Sequence, residues 1–410
     1  MSSFTEKLHT YAQLAVEVGV NVQKGQHVVI NASTDVRELV RLLAKHSYEK
    51  GAKNVTVNWQ DDELSRLKYE MAPFEAFEEY PEWEAKGKEE LAKKGAAFIS
   101  VVSSDPDLLK GTDGKRIAAF QKAAGKALHT YRQYIQSDKV SWTVIGAAST
   151  GWAKKVFPDQ PEETAVQLLW EEIFKTTRVN EENPVEAWKK HDLLLNEKVK
   201  ILNSKQFHKL LYKASGTNLT IELPKNHKWV GPSSVSDLGI TFIANMPTEE
   251  VYTVPKKNGV NGIVTSTKPL SYAGNIINKF TLTFSNGRIV KIKAKEGENI
   301  LKSLIATDEG SQYLGEVALV SHDSPISKSN ILYYNTLFDE NASNHLAIGS
   351  GYVFNIKRGK EMSDKELELA GINKSITHVD FMIGSAEMNI DGVTEKGEQV
   401  PIFRNGNWAI

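Results

Sequence analysis

Apolar positions in the first half of the chain alternate between two rhythms. Phe4, Leu8, Tyr11, Leu14 and Ala15 recur at helical spacing. "QHVVIN" then gathers apolar residues into a short run and predicts a strand. "DVRELVRLLAKHSYEKG" returns to the helical rhythm and closes on a glycine, a common C-terminal stop. "KNVTVNW", "AAFISVVS" and "VSWTVIGA" predict three more strands, with helical patterns between them. Such alternation predicts an open, doubly wound α/β sheet with helices on both faces. From about 160 to 210 the pattern is mostly helical, and "ENPVEAWKKHDLLLNEKVKILN" is its clearest piece.

After Ser215 the character changes. "TNLTIELP", "ITFIANMP", "EVYTVP", "GIVTSTKPL" and "FTLTFSNGRIVKIKAKEG" read as strands, and Asn286–Gly287 between alternating runs is a hairpin signal. The closing stretch "MNIDGVTEKGEQVPIFRNGNWAI" predicts further turns at Asp-Gly, Lys-Gly and Asn-Gly. The expected organisation is therefore α/β plus α+β: an α/β domain over 1–210 and a β-rich domain over 211–410.

Composition narrows the function classes. A chain of 410 residues fits two domains, and 40% hydrophobic with 25% charged residues is ordinary for a globular protein. The net charge of −1 supplies no large basic field for nucleic acid or an anionic membrane. The absence of cysteine excludes disulfides, a thiol nucleophile and thiolate metal sites, so any metal must take oxygen and imidazole ligands. Glu6, Lys7 and Glu17 interrupt the N-terminal apolar pattern, which argues against a signal peptide. Runs such as "AAFISVV" are far shorter than the roughly 20 residues that span a bilayer. A cytoplasmic protein is expected. No G-x-G-x-x-G or Walker sequence follows any of the early strands, which weakens a nucleotide-binding reading.

The unusual polar residues lie in the β-rich half. In "NMPTEEVYTVP", Glu249 and Glu250 stand side by side among strand-forming residues, although a buried, unpaired carboxylate costs several kcal/mol or neutralises itself. Neighbours on a strand face opposite ways, but at a strand end or bulge both can flank one site, and Pro247 marks such an interruption. Glu316 in "YLGEVALVS" leads into an apolar run. In "NTLFDENASNHLAIGSGY", Asn341 or a neighbour is expected to cap a helix carrying His345, preceded by Asp339 and Glu340. If that helix reaches Tyr352, positions i and i+7 lie only about 20° apart around it. His378 and Asp380 in "SITHVDFMIGS" share one face of a strand.

One catalytic ion needs about three or four protein ligands and two bridged ions about five to seven, so this inventory fits two. Zinc, cobalt, manganese or magnesium could accept such donors. Each residue also has a reading without metal: Glu316 as a solvent-facing strand residue, His345 as a hydrogen-bonded histidine, His378 and Asp380 as a core pair, Asp339 and Glu340 as helix N-terminal acids, and Tyr352 as packing. His9, His46, His129 and His191 fall in helical patterns and are expected at the surface. His322–Asp323 lies in a polar loop near Glu316 in sequence.

The segments "ANMPTEEVYTVP", "EGSQYLGEVALV", "LFDENASNHLAIG" and "HVDFMIGSAEMNIDG" resemble the thermophilic aminopeptidase family (peptidase family M29), particularly its aminopeptidase S branch, and the resemblance extends along the whole chain. It implies an exopeptidase that removes N-terminal residues from peptides with two divalent ions per subunit, Zn²⁺, Co²⁺ or Mg²⁺. It implies Glu250, Glu316, His345, His378 and Asp380 as metal ligands, Glu340 as a further ligand, and Tyr352 as a ligand or near-ligand. Glu249 matches the other acid of the pair and is inferred to be the base that takes the proton of an activated water. A homodimer with a catalytic β-rich C-terminal domain is implied too, without nucleic acid or membrane as partner. Two rival classes stay open: a two-metal phosphoesterase, although no Arg or Lys for phosphate stands within these motifs, and a non-enzymatic ligand-binding module.

Overall fold

The early apolar runs become strands of one parallel sheet in the computed structural model, which describes residues 2–272 and 275–410. The sheet order is Asn54–Gln60, His27–Ser33, Ala97–Val102, Trp142–Gly146, Asn245–Met246, and all neighbours are parallel. The order reverses between His27–Ser33 and Ala97–Val102, which defines a doubly wound open sheet. Val28, Val29 and Ile30 are buried, as in a strand covered on both faces. Helix Phe4–Leu14 starts with a capping box formed by Ser3 and Glu6. It buries Tyr11, whose hydroxyl donates to Gly146 O at 2.7 Å. Helix Arg37–Glu49 buries Leu39, Val40 and Leu43 along one side, and each such side chain contributes roughly 1.5–3 kcal/mol.

The chain divides into two compact units, Met1–Lys189 with Ser233–Pro247, and Lys190–Pro232 with Thr248–Ile410. This differs from one boundary near 210. Helix Pro184–Lys205 runs across the first change of unit, and "ITFIANMP" does not belong with the later strands. Its Thr241–Ile243 portion pairs with Ser233–Val235, and Asn245–Met246 adds the last parallel strand beside Trp142–Gly146.

The second unit holds two antiparallel sheets. The larger is a nine-stranded sheet that includes the hairpin of Asn275–Ser285 and Arg288–Glu296. Asn286 and Gly287 turn that hairpin with φ of 49° and 82°, which suits Asn-Gly. Lys396–Gly397 and Asn405–Gly406 also lie at turns, but Asp391–Gly392 lies inside strand Asn389–Val393. There a Cβ on Gly392 would come within 2.6 Å of the Phe207 ring, so close packing explains this glycine. The smaller sheet has the order Glu250–Thr253, Leu314–Val320, His345–Gly349, His378–Met382. No helix among the described residues is long and apolar enough to cross a membrane.

Candidate metal centre

Register collects the candidate residues on one face of the smaller sheet. Glu250 pairs with Val320, Ala318 with His345, and Glu316 with Ala347. Ala347 in turn pairs with Asp380, and Gly349 with His378. Directly paired residues share a face and residues two apart do so again, so Glu250, Glu316, His345, His378 and Asp380 project to the same side. The positions among them are small: Ala318, Ala347 and Gly349. Gly349 has a φ of 114°, and a Cβ there would lie 2.2 Å from Thr377 O, so no side chain fits.

Two donor groups result. Glu250, Glu316 and His345 place one donor atom each within 4.8 Å of one another, and so do Glu316, His378 and Asp380. Glu316 belongs to both. Its Oε1 lies 3.5 Å from His345 Nε2, and its Oε2 lies 3.6 Å from His378 Nε2. Glu250 Oε2 is 3.1 Å from His345 Nε2, and Asp380 Oδ1 is 3.5 Å from His378 Nε2.

Glu250 Oε2, His345 Nε2 and Asp380 Oδ1 are buried without a hydrogen bond. Leaving such atoms unpaired costs about 1–3 kcal/mol each, more when charged. A cation among these donor atoms would relieve that cost. The imidazoles are oriented accordingly. His345 Nδ1 meets Ser343 O at 3.2 Å, and His378 Nδ1 meets Ser350 O at 2.8 Å. A carbonyl only accepts, so each Nδ1 carries the proton and donates, which turns Nε2 toward the cluster.

The cluster's electrostatics record an excess of negative charge. Burial raises the Glu316 carboxyl above its ordinary range. Burial opposes a charged His345, but the carboxylates of Glu250 and Glu316 outweigh it and hold the imidazole well above its usual value. Burial likewise opposes a charged His378, yet Asp380 and Glu316 bring it to about 10. Burial and the carboxylates of Glu250 and Asp380 push Glu340 well up. Burial and the neighbouring Glu316 and Asp380 do the same to the Tyr352 phenol.

The other expected residues are placed as follows. Glu249 is buried just before the strand that Glu250 opens, so the pair straddles a strand end. Glu340 stands outside both donor groups but within their field, at the start of the short turn Glu340–Ala342. Asp339 is buried and accepts from the N–H groups of Tyr333 and Asn335 at 2.8 and 3.0 Å, a structural use. The expected helix carrying His345 does not form. His345 opens strand His345–Gly349, buried at every position, and a strand covered on both faces shows no alternation to distinguish it from a helix. Tyr352 follows this strand; its ring lies 4.9 Å from that of His378 and stacks on Phe354 at 5.2 Å. His322 meets Ser327 Oγ at 3.3 Å and belongs to neither donor group. His191 is not a plain surface residue: its Nε2 lies 3.6 Å from Glu249 Oε2. No local spacing signals that contact, because its partner is far along the chain.

Comparison with known proteins places the chain in a family. The profile of the family described as Thermophilic metalloprotease (M29) matches residues 4–408. Aminopeptidase AmpS of Bacillus subtilis (strain 168) is 74% identical over 409 residues, covering 100% of both chains. Aminopeptidase T of Thermus aquaticus is 40% identical, again over 100% of both. The solved structure titled "Wild-type AmpT from Thermus thermophilus" superposes with a TM-score of 0.94 at 39% identity, covering 100% of each chain. With its full-length match to that profile and its buried oxygen and imidazole donors, the chain belongs to the M29 family of thermophilic metalloproteases.

Proposed function

We propose that this enzyme is a metallo-aminopeptidase whose two adjacent donor groups, with Glu316 common to both, would hold two divalent ions. The observation that carries the reading is the pair of donor groups meeting at Glu316, with orphaned buried atoms in both. Glu250 and His345 complete one donor set, and His378 and Asp380 the other. The four carboxylates of Glu250, Glu316, Glu340 and Asp380 together carry the charge that two dications balance. Glu340 is the further ligand in this reading. When bound, the ions supply Lewis acidity that makes water acidic and a peptide carbonyl electrophilic.

The chain's own groups do the rest. Ser343 O and Ser350 O hold the imidazoles in the tautomer that ligates. Glu249 is the general base: it takes a proton from the attacking water and passes it to the leaving amine. Tyr352, kept protonated by burial and by the adjacent carboxylates, donates a hydrogen bond to the developing oxyanion. The substrates are peptides with a free N-terminus, and the enzyme acts as a homodimer in the cytoplasm.

Exhaustive chelation followed by elemental analysis and an assay with Leu-p-nitroanilide tests the core of this reading. Activity should vanish with the ions and return on adding Zn²⁺ or Co²⁺ at two per chain. Metal-free protein as fast as the reconstituted enzyme would end the proposal. Light scattering should report about twice the 45.7 kDa of one chain, and a value near one chain would remove the dimer.

A further inference from the structure

The peptide group between Thr248 and Glu249 is held at both of its polar ends. His191 Nε2 meets its carbonyl, Thr248 O, at 2.8 Å. Its N–H, that of Glu249, donates to Asn341 Oδ1 at 2.7 Å. A carbonyl only accepts, so His191 must donate through Nε2. Asn341 is fully buried, and its amide Nδ2 donates to Leu337 O at 3.0 Å, which leaves Oδ1 as the acceptor for Glu249. The two partners come from separate elements: His191 from helix Pro184–Lys205, Asn341 from the turn Glu340–Ala342.

A peptide group is a rigid plane, and the chain turns only about the single bonds on either side of it. Fixing this plane on one side of the Glu249 Cα, while the strand that Glu250 opens fixes the chain on the other, sets the direction from which the Glu249 side chain leaves the backbone. The same plane precedes the strand that Glu250 opens. Glu250 is held separately by its pairing with Val320, so rotation of that plane would swing Glu249 while Glu250 Oε2 stays beside His345, 3.1 Å away. The His191 imidazole also lies 3.6 Å from Glu249 Oε2, so one ring governs the backbone and faces the carboxylate.

We propose that His191 and Asn341 are positioning residues: they clamp the Thr248–Glu249 peptide so that Glu249 is held apart from the donor cluster as the base. This rests on the reading of Glu249 given above. His191→Phe should lower kcat for Leu-p-nitroanilide about 10- to 100-fold, the usual effect of disturbing a group that orients an active-site residue. KM should stay within about twofold and both ions should be retained, because the loss falls on the transition state. Amide exchange measured by mass spectrometry on the peptide containing Glu249 should be faster than in the parent enzyme. His191→Gln, which restores a donor at similar reach, should recover most of the kcat and the slow exchange.

Asn341→Leu should behave as His191→Phe does. If that buried substitution prevents folding, the two His191 variants still decide. A His191→Phe enzyme with parental kcat overturns the clamp, and so does a His191→Gln enzyme as slow as His191→Phe. A loss of kcat that merely follows lost metal also overturns it. Glu249→Gln, measured in parallel, separates the two levels. If it is slow while His191→Phe is fast, the clamp alone is wrong. If it turns over normally with both ions bound, the base assignment fails and takes the clamp with it.

Discussion

Glu249 and Glu250 are adjacent, equally buried carboxylates with different surroundings. Glu250 faces His345 in a donor group, whereas Glu249 faces His191. Glu250→Gln should reduce bound metal as well as activity, since a neutral amide is a poor substitute for a charged ligand. Glu249→Gln should keep both ions and the fold, yet lower kcat by about 10²- to 10⁴-fold, the range of a general base. Elemental analysis beside kcat for both variants checks this; normal turnover in Glu249→Gln would remove it as base. The candidate ligands were legible one by one, because carboxylates and imidazoles are conspicuous in apolar runs. Their convergence was legible through the family resemblance and not from spacing. Glu316 reads alone as a solvent-facing residue, and only the register with Ala347 and Asp380 shows it at the centre of two donor groups. His191 lay beyond reach, because a helical histidine carries no mark of the loop it will meet.

At the scale of elements, turn chemistry was the most readable signal where strands alternate and the least where packing sets the residue. Asn286–Gly287 and Asn405–Gly406 satisfy the positive φ of tight hairpin turns. Asp391–Gly392 has similar spelling, but its glycine makes room for Phe207. The energetic difference between glycines can be measured. Gly397 has a φ of 84°, with nothing within 4 Å of an added Cβ, so Gly397→Ala should cost only the left-handed strain of about 1–2 kcal/mol. Gly287 has a similar φ, but its Cβ would fall 1.8 Å from Lys257 O. Gly287→Ala should therefore cost about 3 kcal/mol or more, among the larger single-residue effects. Urea unfolding of the two variants decides the matter: equal losses would mean that the backbone near Lys257 yields freely. His345–Gly349 lacks the mark of a strand in its sequence for a related reason. Its neighbours on both sides bury every position, which erases the alternation that identifies a strand.

For the whole molecule, the α/β character of the first half and the β-rich character of the second were evident in the change of period. The itinerary of the chain was not, because "ITFIANMP" has the composition of the strands that follow it. Asn245–Met246 nevertheless completes the parallel sheet begun more than two hundred residues earlier. The last strand of one unit is thus encoded inside the half that encodes the other, and a cut between the halves cannot yield two cassettes. A fragment ending at 210 would lack the outer partner of Trp142–Gly146 and leave the N–H and C=O groups on that strand's outer edge as an open template for another chain. Expressed alone, it should aggregate. Replacing 190–232 by a short linker and ending at 247 should restore a monodisperse product in size-exclusion chromatography. A soluble, monodisperse fragment 1–210 would show that this strand is dispensable. Gene fusion or recombination near the midpoint would likewise separate a sheet from its own edge, so only exchanges that carry 233–247 along with the first unit keep that sheet whole.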